Sequence, residues 1–278
     1  MIELLGAAEI RQLADSIGVV PTKKLGQNFV IDPNTIRKIV AVAKLTGRET
    51  VVEIGPGLGS LTLGLLEVVE NLIAVEFDSK MAEAIVGTIS KKTSGKNFQL
   101  IHQDAMKVVE LPMAPDALVA NLPYNISVPV LLHFLETFPS IQSGLVLVQA
   151  EVAHRLAASP GSKVYGAPSV KLAWYSIANL AGNIGRSIFW PVPNVDSALV
   201  YFKKRETALG DEALRTKTFE IIDYAFAQRR KTLRQALAKF AGSADQAEKL
   251  LVSAGVSPSL RGEELTIFDF VKIAKAAA

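Results

Sequence analysis

The chain has 278 residues, a formal net charge of +3, 49% hydrophobic and 21% charged side chains, and no cysteine. That length holds one large α/β domain plus a smaller appendage, and the composition is that of a folded globular protein rather than a disordered or fibrous one. Without cysteine, disulfide scaffolds, thiolate nucleophiles, Cys-ligated zinc and iron–sulfur clusters are all excluded.

The segment around residues 7–17 carries Ile10, Leu13 and Ile17 at helical spacing, and Pro21 ends it. A loop from Lys23 to Val30 follows, and Asp32-Pro33 caps a second helix with Ile36, Ile39, Val40 and Ala43 on one face. Short apolar runs at 50–54, 72–75, 98–101, 117–120 and 144–149 are separated by stretches long enough for crossover helices, the pattern of a parallel sheet. Ile184–Ile188 and Ala198–Phe202 flank Pro191-Val192-Pro193-Asn194 and read as two further strands that close the sheet. From about residue 211 the periodicity is helical, which places a boundary between Lys203 and Gly210: residues 1–205 form one domain and residues 206–278 a small all-helical one. Met1 to Leu5 has an early acid and no basic stretch, and no apolar run approaches the ~18 residues of a membrane span, so a cytoplasmic protein without a membrane partner is expected.

Charge is segregated along the chain. Residues 51–150 carry ten acidic and five basic side chains, whereas residues 203–239 carry ten basic and five acidic ones. The second stretch includes Arg229, Arg230, Lys231 and Arg234, which suit phosphate contacts, although a run of charge is also what any solvated helix surface shows.

The sharpest motif is Val51-Val52-Glu53-Ile54-Gly55-Pro56-Gly57-Leu58-Gly59, a strand running into a glycine-rich turn before a helix over Leu61–Glu67. Doubly wound folds bring backbone close to a nucleotide at such a turn. The spacing is G-x-G-x-G rather than G-x-G-x-x-G, and Pro56 removes a donor, so a pyrophosphate is a poor fit to Gly55 and Gly57. Glu76 ends the next strand, where an acid accepts from the hydroxyls of a ribose. A ligand with a ribose and no phosphates satisfies both facts, and S-adenosylmethionine is one. The competing reading is a tight turn with an unrelated acid.

Asn121-Leu122-Pro123-Tyr124 leaves the fourth strand at the same sheet edge. The lone pair of an exocyclic amine is delocalised into its base, so methylating it requires acceptors that pull the nitrogen towards tetrahedral geometry. The Asn121 side-chain carbonyl and the Leu122 backbone carbonyl, held extended by Pro123, could take the two N–H groups and stabilise the developing positive charge. Tyr124 offers a flat face to the base, and Phe189 either an opposing wall or plain core. His102, His133 and His154 show no metal-ligand spacing, and no metal is expected.

Together, Gly26-Gln27-Asn28-Phe29, Glu53 to Gly59, Glu76-Phe77-Asp78, Gln103-Asp104-Ala105, Asn121 to Ser127, Phe189 to Ser197 and Arg229 to Leu233 resemble the ribosomal RNA adenine dimethyltransferases, specifically their small-subunit group. The family usually has leucine where Val30 and Pro168 stand. The resemblance implies a Rossmann-like class I S-adenosylmethionine methyltransferase sheet with a small C-terminal helical domain that binds RNA. Asn28 and Val30 would contact the methionine end of S-adenosylmethionine through backbone, Gly55 would lie under it, Glu76 would hold its ribose and Asp104 its adenine amine. Asn121 would sit between cofactor and target. The implied reaction carries two adjacent adenosines of the 3′-terminal hairpin loop of 16S ribosomal RNA to the N6,N6-dimethyl form in the pre-30S subunit, by a monomeric enzyme. The sister group that methylates 23S RNA, a non-catalytic assembly factor and an NAD-dependent dehydrogenase are the alternatives. Arg261 to Leu265 with Phe268 and Phe270 favours the small-subunit group over the first, and the glycine spacing disfavours the last.

Overall fold

A computed structural model of the chain describes residues 2–20 and 28–277. The helix end read at Pro21 and the Lys23–Gln27 part of the following loop lie outside the described residues. The chain forms two compact units, one of residues 1–153 and 179–203 and the other of residues 154–178 and 204–278.

The first unit opens with α1 (Ala7–Ser16), started by the Glu9 carboxylate accepting from the Gly6 N–H at 3.1 Å. β1 (Phe29–Val30) leads into α2 (Pro33–Val42), capped by Asp32 with Pro33 in the first turn as its sequence requires. Then β2 (Thr50–Ile54), α3 (Ser60–Val68), β3 (Asn71–Glu76), α4 (Ser79–Lys92) and β4 (Asn97–His102) alternate. They are followed by β5 (Ala117–Asn121), α5 (Ser127–Thr137), β6 (Ser143–Gln149) and α6 (Ala150–Leu156). After α7 (Ala167–Tyr175) come β7 (Ser176–Ile184), β8 (Phe189–Trp190) and β9 (Ser197–Lys204).

Seven strands form one sheet in the order β4-β3-β2-β5-β6-β9-β7. The five strands from β4 to β6 are parallel, and β9 is antiparallel to β6 with Ser197 opposite Gln149. Because β2 is the middle of the five parallel strands and the order reverses beside it, the carboxyl ends of β2, β3 and β5 open one crevice, where doubly wound sheets bind ligands. Buried Val51, Leu72, Val119 and Leu145 of successive strands join the core of this unit. The five parallel strands match the five apolar runs of the sequence to within a residue or so at each end.

One strand falls elsewhere than expected. Residues 186–188 form a 3-10 turn, and the strand is β7, which precedes them. β7 is a sheet edge with only its first and last residues buried, so it has no apolar run to announce it. β8 pairs with β1 in a separate two-stranded ribbon, Val30 opposite Phe189.

The second unit adds α8 (Glu212–Ala227), α9 (Leu233–Ala236), α10 (Ala238–Ala241), α11 (Ala244–Ser253) and α12 (Ile267–Ala276) to α7. Its own core joins Tyr165, Val170 and Trp174 to Ile221, Leu233, Leu251 and Phe270. A single boundary near residue 205 therefore leaves out the segment 154–178, whose apolar side chains are buried against the C-terminal helices. Tyr165 adds a hydrogen bond from its hydroxyl to the Leu265 carbonyl at 2.9 Å. No helix among the described residues is long and apolar enough to cross a membrane.

Candidate active site

A cavity of about 430 Å³ lies at the carboxyl ends of β2, β3 and β5. Its walls include Asn28, Val30, Gly55, Gly57, Glu76, Asp104, Asn121 and Pro123, so every cofactor position named from sequence reaches one site.

The glycine turn is shaped by backbone geometry. Gly55, Gly57 and Gly59 have φ of +68°, +56° and +94°, which L side chains rarely adopt. A Cβ on Gly57 would also lie 2.8 Å from the Phe29 ring, so this glycine lets β1 close onto the turn. The amides of the turn are largely spent within the protein: Gly55 donates to the Val75 carbonyl at 2.9 Å, Gly57 to the Glu76 carboxylate at 3.1 Å and Gly59 to the Pro56 carbonyl at 3.0 Å. Pro56 has no N–H. A phosphate would therefore meet few free donors.

Charge points the same way. Glu53, Glu76, Asp78 and Asp104 line the cavity, and no Lys or Arg does among the described residues. Such a site repels a pyrophosphate and attracts a cation. Glu53 is 1% exposed, and among the described residues its Oε2 has no hydrogen-bond partner, nor have Thr62 Oγ1 and Ser60 Oγ. Burial pushes the Glu53 carboxyl up to about 8; the Thr62 hydroxyl opposes this and the negative charge of Glu76 adds to it.

Glu76 also has its pKa raised, by burial first, against three backbone amides that favour the ionised form. Its Oε1 accepts from Phe77 and Asp78, both at 2.9 Å, and its Oε2 from Gly57. A carboxylate offers about four acceptor positions, so roughly one remains, on Oε2. Asp78 caps α4 through Lys80 and Met81, and Asp104 caps the next turn through Met106 at 3.0 Å, leaving its other oxygen available.

At the end of β5 the Asn121 side chain donates through Nδ2 to the Asn28 carbonyl at 3.0 Å. That bond leaves Oδ1 as the free acceptor of the amide group. Leu122 is anchored by its N–H to the Leu147 carbonyl at 3.1 Å, with the side chain in the core. The Tyr124 hydroxyl meets the Ser197 hydroxyl at 2.8 Å, and burial raises the Tyr124 pKa.

Residues 21–278 match the ribosomal RNA adenine dimethylase family. The ribosomal RNA small subunit methyltransferase A of Leifsonia xyli subsp. xyli is 58% identical over 276 residues, spanning 98% of both chains. The protein of the same name from Streptomyces coelicolor is 58% identical over 275 residues, 98% of this chain and 96% of its own.

The chain belongs to the ribosomal RNA adenine dimethylase family.

As a member of this methyltransferase family it shares its fold with solved structures at lower identity. A dimethyladenosine transferase from Plasmodium falciparum superposes with a TM-score of 0.74 at 24% identity, over 87% of this chain and 94% of the other. The 23S rRNA methyltransferase ErmE gives 0.67 at 22%, over 89% and 98%. Both have the class I methyltransferase sheet that the sequence motifs imply. Membership of the family sets aside the dehydrogenase reading.

Two groups of residues named from sequence have partners within the fold. Phe189 is 1% exposed and joins the core of the first unit, in the strand paired with β1, which is the plain-core alternative of the sequence reading. In the basic stretch, Arg229 donates to the Tyr165 carbonyl at 3.0 Å and to the Lys163 carbonyl, and pairs with Glu263 at 3.1 Å. Arg234 pairs with Asp245 at 2.7 Å and Glu248 at 2.6 Å, which raise its pKa. Both arginines serve the helical unit itself. Arg230 and Lys231 remain exposed in the turn between α8 and α9. Conversely, sequence reasoning passed over Glu53 and Ser197. An acid inside the apolar run 50–54 signals the first; nothing in the sequence marks the second.

Proposed function

We propose that the first unit binds S-adenosylmethionine in the cavity and transfers its methyl groups to N6 of adenine in small-subunit ribosomal RNA. The cavity fits such a group by its acidic walls, the amides of Gly55, Gly57 and Gly59 being already engaged, and the remaining acceptor position on Glu76. Glu76 would hold the ribose, Asp104 the adenine amine, and the backbone of Asn28 and Val30 the methionine end, across the turn made by Gly55 and Gly57. The bound cofactor supplies an electrophilic methyl group.

The observation that carries the reading is the Asn121 amide, fixed by the Asn28 carbonyl so that Oδ1 is left to accept. Asn121 Oδ1 and the Leu122 carbonyl, kept extended by Pro123, take the N–H groups of the target and stabilise the positive charge that grows on nitrogen. Tyr124 supports the face of the base, and a base in a loop is cheaper to extract than one in a duplex. No side-chain base is needed, because the methylated ammonium is acidic enough to lose its proton to water.

The substrate we assign is the pair of adjacent adenosines in the 3′-terminal hairpin loop of 16S ribosomal RNA in the pre-30S subunit, met in the cytoplasm by a monomer. The helical unit docks on the particle, with Arg230 and Lys231 as its free phosphate contacts. Purified protein given undermethylated small subunits and radiolabelled S-adenosylmethionine should incorporate four methyl groups per particle, two on each adenosine, and create a reverse-transcription stop at that loop. Incorporation into large-subunit RNA instead would overturn the substrate assignment.

A further inference from the structure

The geometry points to Ser197 as a positioning residue for methyl transfer, one that holds the Tyr124 ring in register with the target base. This rests on the role proposed above for Tyr124.

Ser197 opens β9, whose antiparallel pairing with β6 puts it opposite Gln149, at the carboxyl edge of the sheet that also bears Asn121. The chain is pinned there by the Ala150 N–H donating to the Asp196 carbonyl at 2.9 Å. The Ser197 side chain is fully buried. A buried hydroxyl costs free energy unless it is hydrogen-bonded, and among the described residues its side-chain partner is the Tyr124 hydroxyl at 2.8 Å. Tyr124 likewise has no other side-chain partner for its hydroxyl among the described residues.

The partly buried Tyr124 sits in the turn after Pro123, where Ile126 returns a backbone hydrogen bond to the Pro123 carbonyl at 3.2 Å. The bond from its far end to the rigid sheet fixes the direction in which the ring axis points, and so where the ring lies against the base. Asn121 is locked likewise by the Asn28 carbonyl. Acceptor and stacking face are thus each tied to a residue outside their own motif. A small misplacement of a reacting base is expensive in rate even where affinity is kept.

The test is steady-state methylation of undermethylated small subunits by Ser197→Ala, Tyr124→Phe, the double variant and Tyr124→Ala, with folding checked by thermal denaturation. Ser197→Ala and Tyr124→Phe each delete the same bond and should each lower kcat about 5–10-fold, as loss of one hydrogen bond allows. KM for the particle and S-adenosylmethionine affinity should stay within about twofold, because phosphate contacts and the acidic cavity are untouched. The double variant should be no slower than either single one, since residues that share one contact are non-additive. A normal kcat for folded Ser197→Ala, or multiplicative losses in the double variant, overturns the assignment of Ser197 alone when Tyr124→Ala is severely impaired. Wild-type turnover in Tyr124→Ala would overturn the role of Tyr124 and that of Ser197 with it.

Discussion

The crevice at the ends of β2, β3 and β5 and the basic turn after α8 present opposite relations between residue type and availability. In the crevice, acids and an amide chosen by motif spacing converge on one cavity and keep acceptor capacity facing it. In the turn and the α9 that follows it, two of the four cations chosen by charge density are engaged by carbonyls and carboxylates of the same unit. Charge in a sequence says that a group exists. Only its neighbours decide whether it faces a ligand or holds the fold.

The sharpest way to break that contrast is Asn121→Ala. It deletes an acceptor that acts on charge developing in the transition state, so turnover should fall about 10²–10³-fold while cofactor affinity, by titration calorimetry, barely moves. Loss of cofactor binding with normal residual turnover would place Asn121 on the wrong side of the site.

Glu53 probes the electrostatics of the crevice. A carboxyl whose folded pKa is raised to about 8 binds its proton more tightly folded than unfolded. The stability it contributes is complete at low pH and is lost as pH climbs from the unfolded carboxyl range towards 8, opposite in sign to an ordinary ion-paired carboxylate. Between pH 5.5 and 7.5 the unliganded protein should lose about 2–3 kcal/mol from this group. Glu53→Gln should flatten the slope in chemical denaturation; an equally steep profile in the variant would assign the pH dependence elsewhere.

Glu76→Ala should weaken S-adenosylmethionine binding by about 1.5–3 kcal/mol, the range for hydrogen bonds to a charged group. The three amides it holds at Gly57, Phe77 and Asp78 are released as well, so the melting temperature should fall too. Unchanged affinity would remove Glu76 from the ribose site.

The basic turn is sharpened by separating its cations. Arg230→Ala with Lys231→Ala should reduce the slope of log affinity for ribosomal RNA against log salt by roughly 1.5, with stability within about 0.5 kcal/mol of wild type. Arg229→Ala should instead lower the melting temperature, because it unties Lys163, Tyr165 and Glu263. A larger salt effect for Arg229 than for the exposed pair would reverse the contrast drawn above.

The sequence alone determined the parallel strands, the capped helices, the glycine turn and the acid after it. Each depends on local rules: apolar runs bounded by breakers, a proline after Asp32, glycines where φ is positive. Asn121 and Glu76 were legible for the same reason, since each ends a buried strand and the parallel order brings those ends together, whereas Asp104, two residues beyond the partly exposed β4, was named through the family resemblance. Tertiary structure decided what local pattern does not encode. The edge strand β7 carries no apolar signature because one of its sides has no strand neighbour. Residues 154–178 join the C-terminal unit through packing of Tyr165 and Trp174 rather than by chain order. Phe189 was ambiguous between wall and core, and the pairing of β8 with β1 buries it. The partners of Arg229, Arg234 and Ser197 lie 11 to 73 residues away, so their roles were settled only when the fold brought those partners within hydrogen-bond distance.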